Sequence, residues 1–191
     1  VSQADLSAEQ TLINELQIGR PGWTIISEEK GKIRGKLIDA PTWIIDPLDG
    51  TTNFLHGIPH FAISIAVLEN KKLIAAGILD PLKDEFFFAE HGKGAYLNDR
   101  RIRVSGRKQV ETALFATGIP FKGKTTPEKE IIFINQLNHI MSRCSGIRRF
   151  GSAALDLAWV AAGRYDGFWE HDLKLWDIAA GTLIVLSLIH I

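Results

Sequence analysis

Trp43-Ile44-Ile45-Asp46-Pro47-Leu48-Asp49-Gly50-Thr51-Thr52 is the stretch from which both the fold and the chemistry of this chain can be argued. Its apolar start is typical of a buried β-strand, and Gly50 marks the turn that follows. The strand therefore delivers two carboxylates, the Leu48 carbonyl and the Thr51 hydroxyl to one turn. Oxygen ligands of this kind suit magnesium rather than zinc or copper. Because amides after the turn could also hold a phosphate, the stretch predicts hydrolysis of a phosphate ester.

The composition of the chain argues against several classes of protein. Its 191 residues include 22 basic and 22 acidic side chains, so no net charge recruits nucleic acid or a membrane surface. No apolar run reaches the ~20 residues of a membrane-spanning helix. The single cysteine, Cys144, cannot form an internal disulfide. We therefore expect a cytoplasmic protein that binds neither nucleic acid nor a membrane.

The first helix is predicted from a capping pattern. Ser7-Ala8-Glu9-Gln10 has the spacing of a capping box, with Ser7 as the N-cap. Leu12, Ile13 and Leu16 then fall on one helical face. This pattern predicts a short amphipathic helix whose apolar face packs on the rest of the chain.

Further along the chain, helical and strand patterns are mixed. Alternation with a period of two predicts a strand over residues 61–67, and a turn at 69–72 predicts a hairpin. Further strands are predicted over 23–26, 73–79, 85–89, 95–97, 113–117 and 165–170. Helical patterns cover 128–141, 152–162 and 177–185. The first of these carries an apolar stripe of Ile131, Ile134, Leu137 and Ile140. Antiparallel sheet with segregated helices predicts a layered α/β (α+β) domain.

Five acidic or polar pieces of the chain are candidates for one site. They are Asp5, Glu28, the turn over residues 46–51, Glu170 and Asp177. Two carboxylates three positions apart cannot be neighbours on an extended strand. We expect the turn forced by Pro47 and Gly50 to bring both to one metal. Two such metals would bind the attacking and leaving oxygens together, and Thr51 could accept a proton from the attacking water while relaying its own to Asp5.

A covalent phosphatase mechanism is disfavoured by one residue. Phosphatases that form an aspartyl-phosphate carry Asp-x-Asp-Gly-Thr. If Asp49-Gly50-Thr51 were the second half of that pattern, the nucleophile would stand at Pro47, which has none. Direct attack by water is therefore the preferred mechanism.

Several motifs in this chain resemble those of the inositol monophosphatase family. The stretch from Trp43 to Phe54 resembles the first signature of the family, and Trp176-Asp177-Ile178-Ala179-Ala180-Gly181 resembles the second. Between them, residues 151–156 and 162–170 are also similar to the family pattern. The resemblance covers the chain from about Asp5 to Val185. It implies alternating helix and sheet layers and a magnesium-dependent, lithium-sensitive phosphomonoesterase that is commonly a homodimer.

The resemblance also implies roles for individual residues. The implied ligands of a first metal are Glu28, Asp46, the Leu48 carbonyl and Asp49, and those of a second are Asp46, Asp49 and Asp177. Thr51 and Asp5 resemble the pair that activates water. Gly50 and Thr51 resemble the phosphate-contacting turn. Ser152, Ala153 and Glu170 resemble the wall that contacts the hydroxyls of the substrate.

The ends of the chain depart from the family pattern. The only methionine is Met141, and residues 186–191 lack the Gly-rich continuation found in relatives. We therefore expect residues 1–191 to form a single inositol monophosphatase-like domain that is truncated at both ends.

The function predicted from the sequence is magnesium-dependent hydrolysis of inositol monophosphate, or of a close polyol monophosphate, by direct attack of a metal-activated water. Two alternatives stay open. One is a phosphatase that acts on fructose bisphosphate or adenosine bisphosphate. The other is a catalytically weak regulatory protein that acts through a binding partner.

Overall fold

A large mixed sheet dominates the structure, a computed structural model that describes residues 2–120 and 125–188. Its strands are β1 (Thr24–Ser27), β2 (Gly31–Ile33), β3 (Thr42–Asp49), β4 (Ala62–Glu69), β5 (Lys72–Asp80), β6 (Glu85–Glu90), β7 (Gly94–Leu97) and β8 (Arg100–Arg101). They lie in the order β2-β1-β3-β4-β5-β6-β7-β8. The pair β1 and β3 is parallel, whereas the other neighbouring pairs are antiparallel.

A smaller parallel sheet and five helices complete the described part of the chain. The small sheet contains β9 (Leu114–Thr117), β10 (Gly146–Arg148) and β11 (Gly167–Trp169), with β9 in the middle. The helices are α1 (Gln3–Gly19), α2 (Thr51–Leu55), α3 (Pro127–Met141), α4 (Ala153–Ala161) and α5 (Leu175–Leu186). A 3-10 turn spans Val110–Thr112.

The helices pack on both faces of the large sheet because successive side chains of a strand point to opposite faces. Ile45 of β3 lies in a cluster with Ile13 of α1, whereas its neighbour Ile44 lies in the main core with α4 and α5. A Cβ atom at Gly181 of α5 would lie 2.5 Å from the Leu157 side chain of α4, so the glycine allows these two helices to pack closely. The resulting layers of helix and sheet confirm the predicted α/β (α+β) class.

The predicted start of α1 is wrong by five residues. The helix begins at Gln3, and its N-cap is Ser2, whose hydroxyl accepts a hydrogen bond from the Asp5 amide. The Asp5 carboxylate accepts one from the Ser2 amide in return. Ser7 therefore lies inside the helix, since Ser2-x-x-Asp5 is the capping box that forms. The predicted apolar face is confirmed, because Ile13 is buried and Leu12 and Leu16 pack beside it.

Helix α3 is confirmed, but only part of its predicted apolar stripe lies on the packed face. Phe133 is the buried residue of this helix, and it stacks near Trp169 of the small sheet. Leu137 and Ile140 are half-buried, whereas Ile131 and Ile134 are 62% and 51% exposed. Periodicity identifies a helix, but which side packs depends on the neighbouring elements.

Of the predicted departure over residues 186–191, only its start is described. Leu186 ends α5, Ser187 is its C-cap and Leu188 is buried. Residues 189–191 lie outside the described part of the chain.

Candidate active site

The candidate site lies at the carboxyl end of the parallel ladder between β1 and β3. Their pairing runs to Ser27 opposite Ile45, so the next residues, Glu28 and Asp46, lie side by side just beyond this ladder. A side-chain hydrogen bond joins these two carboxyl groups. Because the carboxyl ends of parallel strands share one edge of a sheet, residues 18 positions apart in sequence meet here.

A β-bulge brings Asp46 and Asp49 together. Asp46 pairs with Ser64 of β4, but Asp49 pairs with Ala62, so three steps along β3 match two along β4. The extra residue corrects the alternation that would put the two carboxylates on opposite faces. The sequence prediction ascribed this approach to a turn forced by Pro47 and Gly50, whereas Pro47 lies within β3, which continues to Asp49, and only Gly50 lies in the turn.

Gly50 shapes the turn that follows the bulge. Its φ of +98° lies in the left-handed region, and a Cβ atom there would lie 3.1 Å from the His60 carbonyl oxygen. The turn leads directly into α2, whose first residue is Thr51. The Asp46 carboxylate accepts a hydrogen bond of 3.0 Å from the Leu48 amide, which holds the bulge closed.

Asp49 is attached to the start of α4. Its Oδ2 accepts hydrogen bonds of 2.6 Å from the Ser152 hydroxyl and 2.7 Å from the Ala154 amide. A further backbone hydrogen bond comes from Ala153. Ser152 and Ala153, predicted to contact substrate, thus contact the carboxylate of Asp49 in this structure.

Thr51 and Asp5 are in contact, as the water-activating assignment requires. The Thr51 Oγ1 atom lies 3.1 Å from Asp5 Oδ1 and 3.1 Å from the Leu48 carbonyl oxygen. A hydroxyl has one hydrogen to donate and lone pairs to accept another. When Thr51 donates to the buried Asp5, its oxygen can accept a proton from a water on its other side.

Asp177 and Glu170 belong to later parts of the chain, at the start of α5 and just after β11, and both lie near the carboxylate of Asp49. Asp177 lies in the first turn of α5, where it accepts a 2.6 Å hydrogen bond from the Lys174 amide. Its charge acts on Glu28, Asp46 and Asp49. Glu170 follows β11 and is packed against Gly118, where a Cβ atom would lie 1.9 Å from the Glu170 carboxyl carbon. All the predicted site residues are therefore brought to one region by five elements, α1, β3, α2, α4 and α5, and the turns next to them.

Burial and mutual repulsion raise the pKa values of these carboxyl groups. Loss of hydration is the main cause for Glu28, whose pKa rises to about 7, and for Asp49, whose pKa rises to about 6. Burial, followed by the charges of Asp49 and Glu28, raises the pKa of Asp46 well above its usual range. Burial and the Asp49 charge raise the pKa of Glu170 to about 7. When these carboxyl groups are ionised, they concentrate negative charge in one region, and bound protons or cations must balance that charge.

The chemistry of this donor set fits a hard divalent cation. The groups are oxygen donors only, and neighbouring carboxylates add to burial in raising their pKa values. Across residues 2–120 and 125–188, no three His, Cys, Asp or Glu side chains stand close enough to hold an ion as they are. Candidate ligands are thus gathered in one region without forming a closed cage.

Three buried polar residues at this site were missed by the sequence analysis. Asn53 of α2 donates 2.7 Å hydrogen bonds to the His60 and Phe150 carbonyls, which ties the turn to the segment before α4. Asp156 of α4 is buried, and its pKa rises to about 8 because of burial and the charges of Asp49 and Glu170. Glu9 is fully buried on α1. The spacing of Asp5 and Glu9, four residues apart on a helix, was the available signal.

The raised pKa values predict that the metal-free chain loses stability as pH rises from about 7 to 9. At pH 7 the folded chain still holds protons, mainly on Asp156 and partly on Glu28 and Glu170, that the unfolded chain has released; these are lost by pH 9, so the stability that they contribute is lost over this range. His60, whose pKa burial lowers to about 4, is neutral in both states over this range. Thermal unfolding in chelator at pH 7, 8 and 9 measures the slope.

Asp156→Asn is the matched variant for this pH prediction. Its amide cannot ionise, so the fall in midpoint temperature between pH 7 and 9 should become smaller. A midpoint that rises with pH in the metal-free chain, or the same slope in Asp156→Asn, would contradict the prediction.

None of the helices within the described residues has the length and apolar character needed to cross a bilayer.

Comparison with known proteins identifies the family. The sequence profile described as "Inositol monophosphatase family" matches residues 1–187. The chain is 51% identical to the inositol-1-monophosphatase of Rhizobium meliloti, over 97% of this chain and 68% of that protein. It is 50% identical to the Nus factor SuhB of Pseudomonas aeruginosa, over 97% of this chain and 68% of that protein.

A solved structure has the same fold. The crystal structure of the extragenic suppressor protein SuhB from Bartonella henselae aligns with a TM-score of 0.93 at 50% identity. The match covers 98% of this chain and 72% of that one. On the shared fold, the profile match and these identities, the chain belongs to the inositol monophosphatase family, a family of phosphatases that are generally metal-dependent.

Proposed function

We propose that this chain carries the catalytic centre of a magnesium-dependent phosphatase that hydrolyses inositol monophosphate or a close polyol monophosphate. The observation that supports the proposal most is the convergence of Asp46, Asp49 and Asp177 beside the hydrogen-bonded pair of Thr51 and Asp5. The relatives named inositol-1-monophosphatase support the choice of substrate.

In this proposal the acidic residues hold magnesium. Glu28, Asp46, the Leu48 carbonyl and Asp49 would hold one ion, and Asp46, Asp49 and Asp177 a second. Bound magnesium would supply positive charge to the phosphoryl oxygens and make a water more acidic.

The remaining roles belong to the chain itself. Thr51 Oγ1 accepts the proton of the attacking water while its own hydrogen moves to Asp5 Oδ1, 3.1 Å away. The amides of Gly50 and Thr51 orient the phosphate at the turn. Ser152, Ala153 and Glu170 line the side that faces the substrate hydroxyls. Water attacks phosphorus directly, since Pro47 offers no nucleophile.

Phosphate release from inositol 1-phosphate tests the proposal. We expect turnover that requires magnesium, that chelator abolishes and that lithium inhibits. Equal release in chelator and in magnesium would rule the mechanism out. Parallel assays with fructose 1,6-bisphosphate and adenosine 3′,5′-bisphosphate separate the alternative substrates, because faster turnover of either would replace inositol phosphate as the preferred class.

A regulatory role is the second candidate function. It is favoured by the relatives named Nus factor SuhB, which are as similar to this chain as those named for phosphatase activity. Stable capture of a partner by a variant with no phosphatase activity, such as Asp49→Asn, would favour this role over the enzymatic one.

The family resemblance also supports a cytoplasmic homodimer. The single Cys144 fits a reducing compartment. Light scattering after size-exclusion chromatography should give twice the chain mass of 21.2 kDa, and a monomer mass would reject the dimer.

A further inference from the structure

Helix α1 buries two carboxylates against the candidate site. Asp5 and Glu9 are 1% and 0% exposed, and with Ile13 they form the buried stripe of the helix. Asp5 contacts Thr51 in the turn after β3. Glu9 contacts a second segment of the site, the loop that follows β1 and carries Glu28. One helical face therefore contacts both chain segments that carry candidate ligands.

Glu9 holds the short loop between β1 and β2 by three hydrogen bonds. Its Oε1 accepts from the Ser27 hydroxyl, from the Glu29 amide at 3.2 Å and from the Lys30 amide at 3.0 Å. These three donors surround Glu28, since one precedes it and two follow it in sequence. A carboxylate that accepts several short-range donors fixes the backbone that carries them.

The position of Glu28 depends on this loop as well as on the sheet. The ladder between β1 and β3 ends at Ser27 opposite Ile45, and β2 begins at Gly31. Glu28 is exposed as a whole residue, although its carboxyl group loses hydration where it hydrogen-bonds to Asp46, so that bond rather than core packing restricts its rotamer. The backbone of residues 27–30, which Glu9 anchors by these three hydrogen bonds, places Glu28 where the bond to Asp46 can form.

We propose that Glu9 is a positioning residue that holds Glu28 beside Asp46 in the geometry needed to bind a divalent cation. The proposal rests on the proposed function in that Glu28 serves there as a metal ligand. Glu9 itself contacts no ligand position. Residues of this kind that orient a ligand change metal affinity by about 10- to 100-fold when removed.

Two substitutions separate positioning from simple burial of an acid. Glu9→Gln keeps an Oε1 acceptor for the three donors and places its amide where Oε2 lies, an atom with no hydrogen-bond partner among the described residues. Glu9→Leu keeps the approximate volume and removes the acceptor. Ile13→Ala is the control, because it weakens the packing of α1 without touching the loop.

Binding of Mn²⁺ measured by electron paramagnetic resonance in the absence of substrate is the main readout. We expect Glu9→Leu to weaken Mn²⁺ binding by about 10- to 100-fold, and Glu9→Gln and Ile13→Ala to stay within about threefold of wild type. Hydrogen exchange at the Glu29 and Lys30 amides should accelerate in Glu9→Leu alone. In a Glu28→Gln background, Glu9→Leu should weaken binding no further, because Glu9 acts through Glu28.

Several results would overturn the proposal. If Glu9→Leu binds Mn²⁺ with wild-type affinity although the Glu29 and Lys30 amides exchange faster, the contacts of Glu9 stabilise the loop without affecting metal binding. If Glu9→Leu and Ile13→Ala weaken Mn²⁺ binding equally, the cause is poorer packing of α1 and not the loss of the Glu9 acceptor. If Glu9→Leu fails to fold, Ser27→Ala removes one of the three donors, and unchanged Mn²⁺ binding in that variant would overturn the proposal as well.

These outcomes are distinguishable from failure of the proposed function. A chain that binds Mn²⁺ but releases no phosphate from any substrate would reject the enzymatic proposal while Glu9 is still tested. Magnesium-dependent turnover with Mn²⁺ binding unaffected by Glu9→Leu would reject the role of Glu9 alone. Wild-type protein that binds no Mn²⁺ would reject both.

Discussion

Asp49→Asn is expected to reduce kcat/KM for inositol 1-phosphate by about 1000-fold or more and to remove the dependence on magnesium. Asp49 is proposed to contact both ions, so the change removes one charge from each, and such charge stabilisation contributes several kcal/mol to catalysis. The fold should persist, because the asparagine oxygen can still accept from the Ser152 hydroxyl and the Ala154 amide. Steady-state assays at graded magnesium, with circular dichroism for folding, measure both effects.

Asp99→Asn is the matched control for this change. Asp99 is exposed in the turn between β7 and β8, so loss of its charge should leave turnover within about twofold. If Asp49→Asn is folded and turns over as fast as wild type, Asp49 has no place in the site.

Thr51→Val is expected to lower kcat by about 10²- to 10⁴-fold, the usual contribution of general acid–base catalysis. Valine has nearly the shape of threonine but cannot pass a proton to Asp5. Because phosphate and metal contacts are proposed to come from other atoms, KM and the magnesium concentration for half-maximal activity should change by less than about fivefold. Initial rates over substrate and magnesium concentration separate these quantities.

Thr51→Ser should restore most of the activity lost in Thr51→Val, because serine keeps a hydroxyl at the position of Thr51 Oγ1, which lies 3.1 Å from Asp5 Oδ1. Thr52→Val removes a neighbouring exposed hydroxyl and should leave kcat within about twofold. A valine variant with unchanged kcat, or a serine variant as slow as the valine one, would exclude Thr51 as the proton acceptor.

Much of the fold was predictable from local patterns. The alternation over residues 61–67 and the hairpin that follows predicted β4 and β5, since a half-buried strand needs one apolar face. The start of α1 was not predicted correctly. Ser2-x-x-Asp5 and Ser7-x-x-Gln10 are both acceptable capping boxes, and the one that forms is the one that lets Asp5, Glu9 and Ile13 pack inward together.

For the candidate site, too, some features were predictable from the sequence and others were not. The residue types around Asp46 indicated a metal and a phosphate because hard oxygen donors are uncommon at the end of a buried strand. The assignment of roles to single residues stays a prediction, as does the treatment of residues 1–191 as one domain. Glu9 and Asp156 were missed, because a carboxylate in a helix normally faces solvent and only the packed structure shows that these two are buried.

The sequence by itself determined the family and the layered class of the fold, and it predicted which residues hold a cation, because motif identity and hydrophobic period are local properties of the chain. Tertiary structure alone decided how those residues meet. The bulge in β3 sets Asp46 and Asp49 on one side, the parallel pairing of β1 and β3 places Glu28 beside them, and the packing of α1 buries Glu9 against the loop. Each of these depends on contacts between segments far apart in sequence, whose pairing no local pattern encodes.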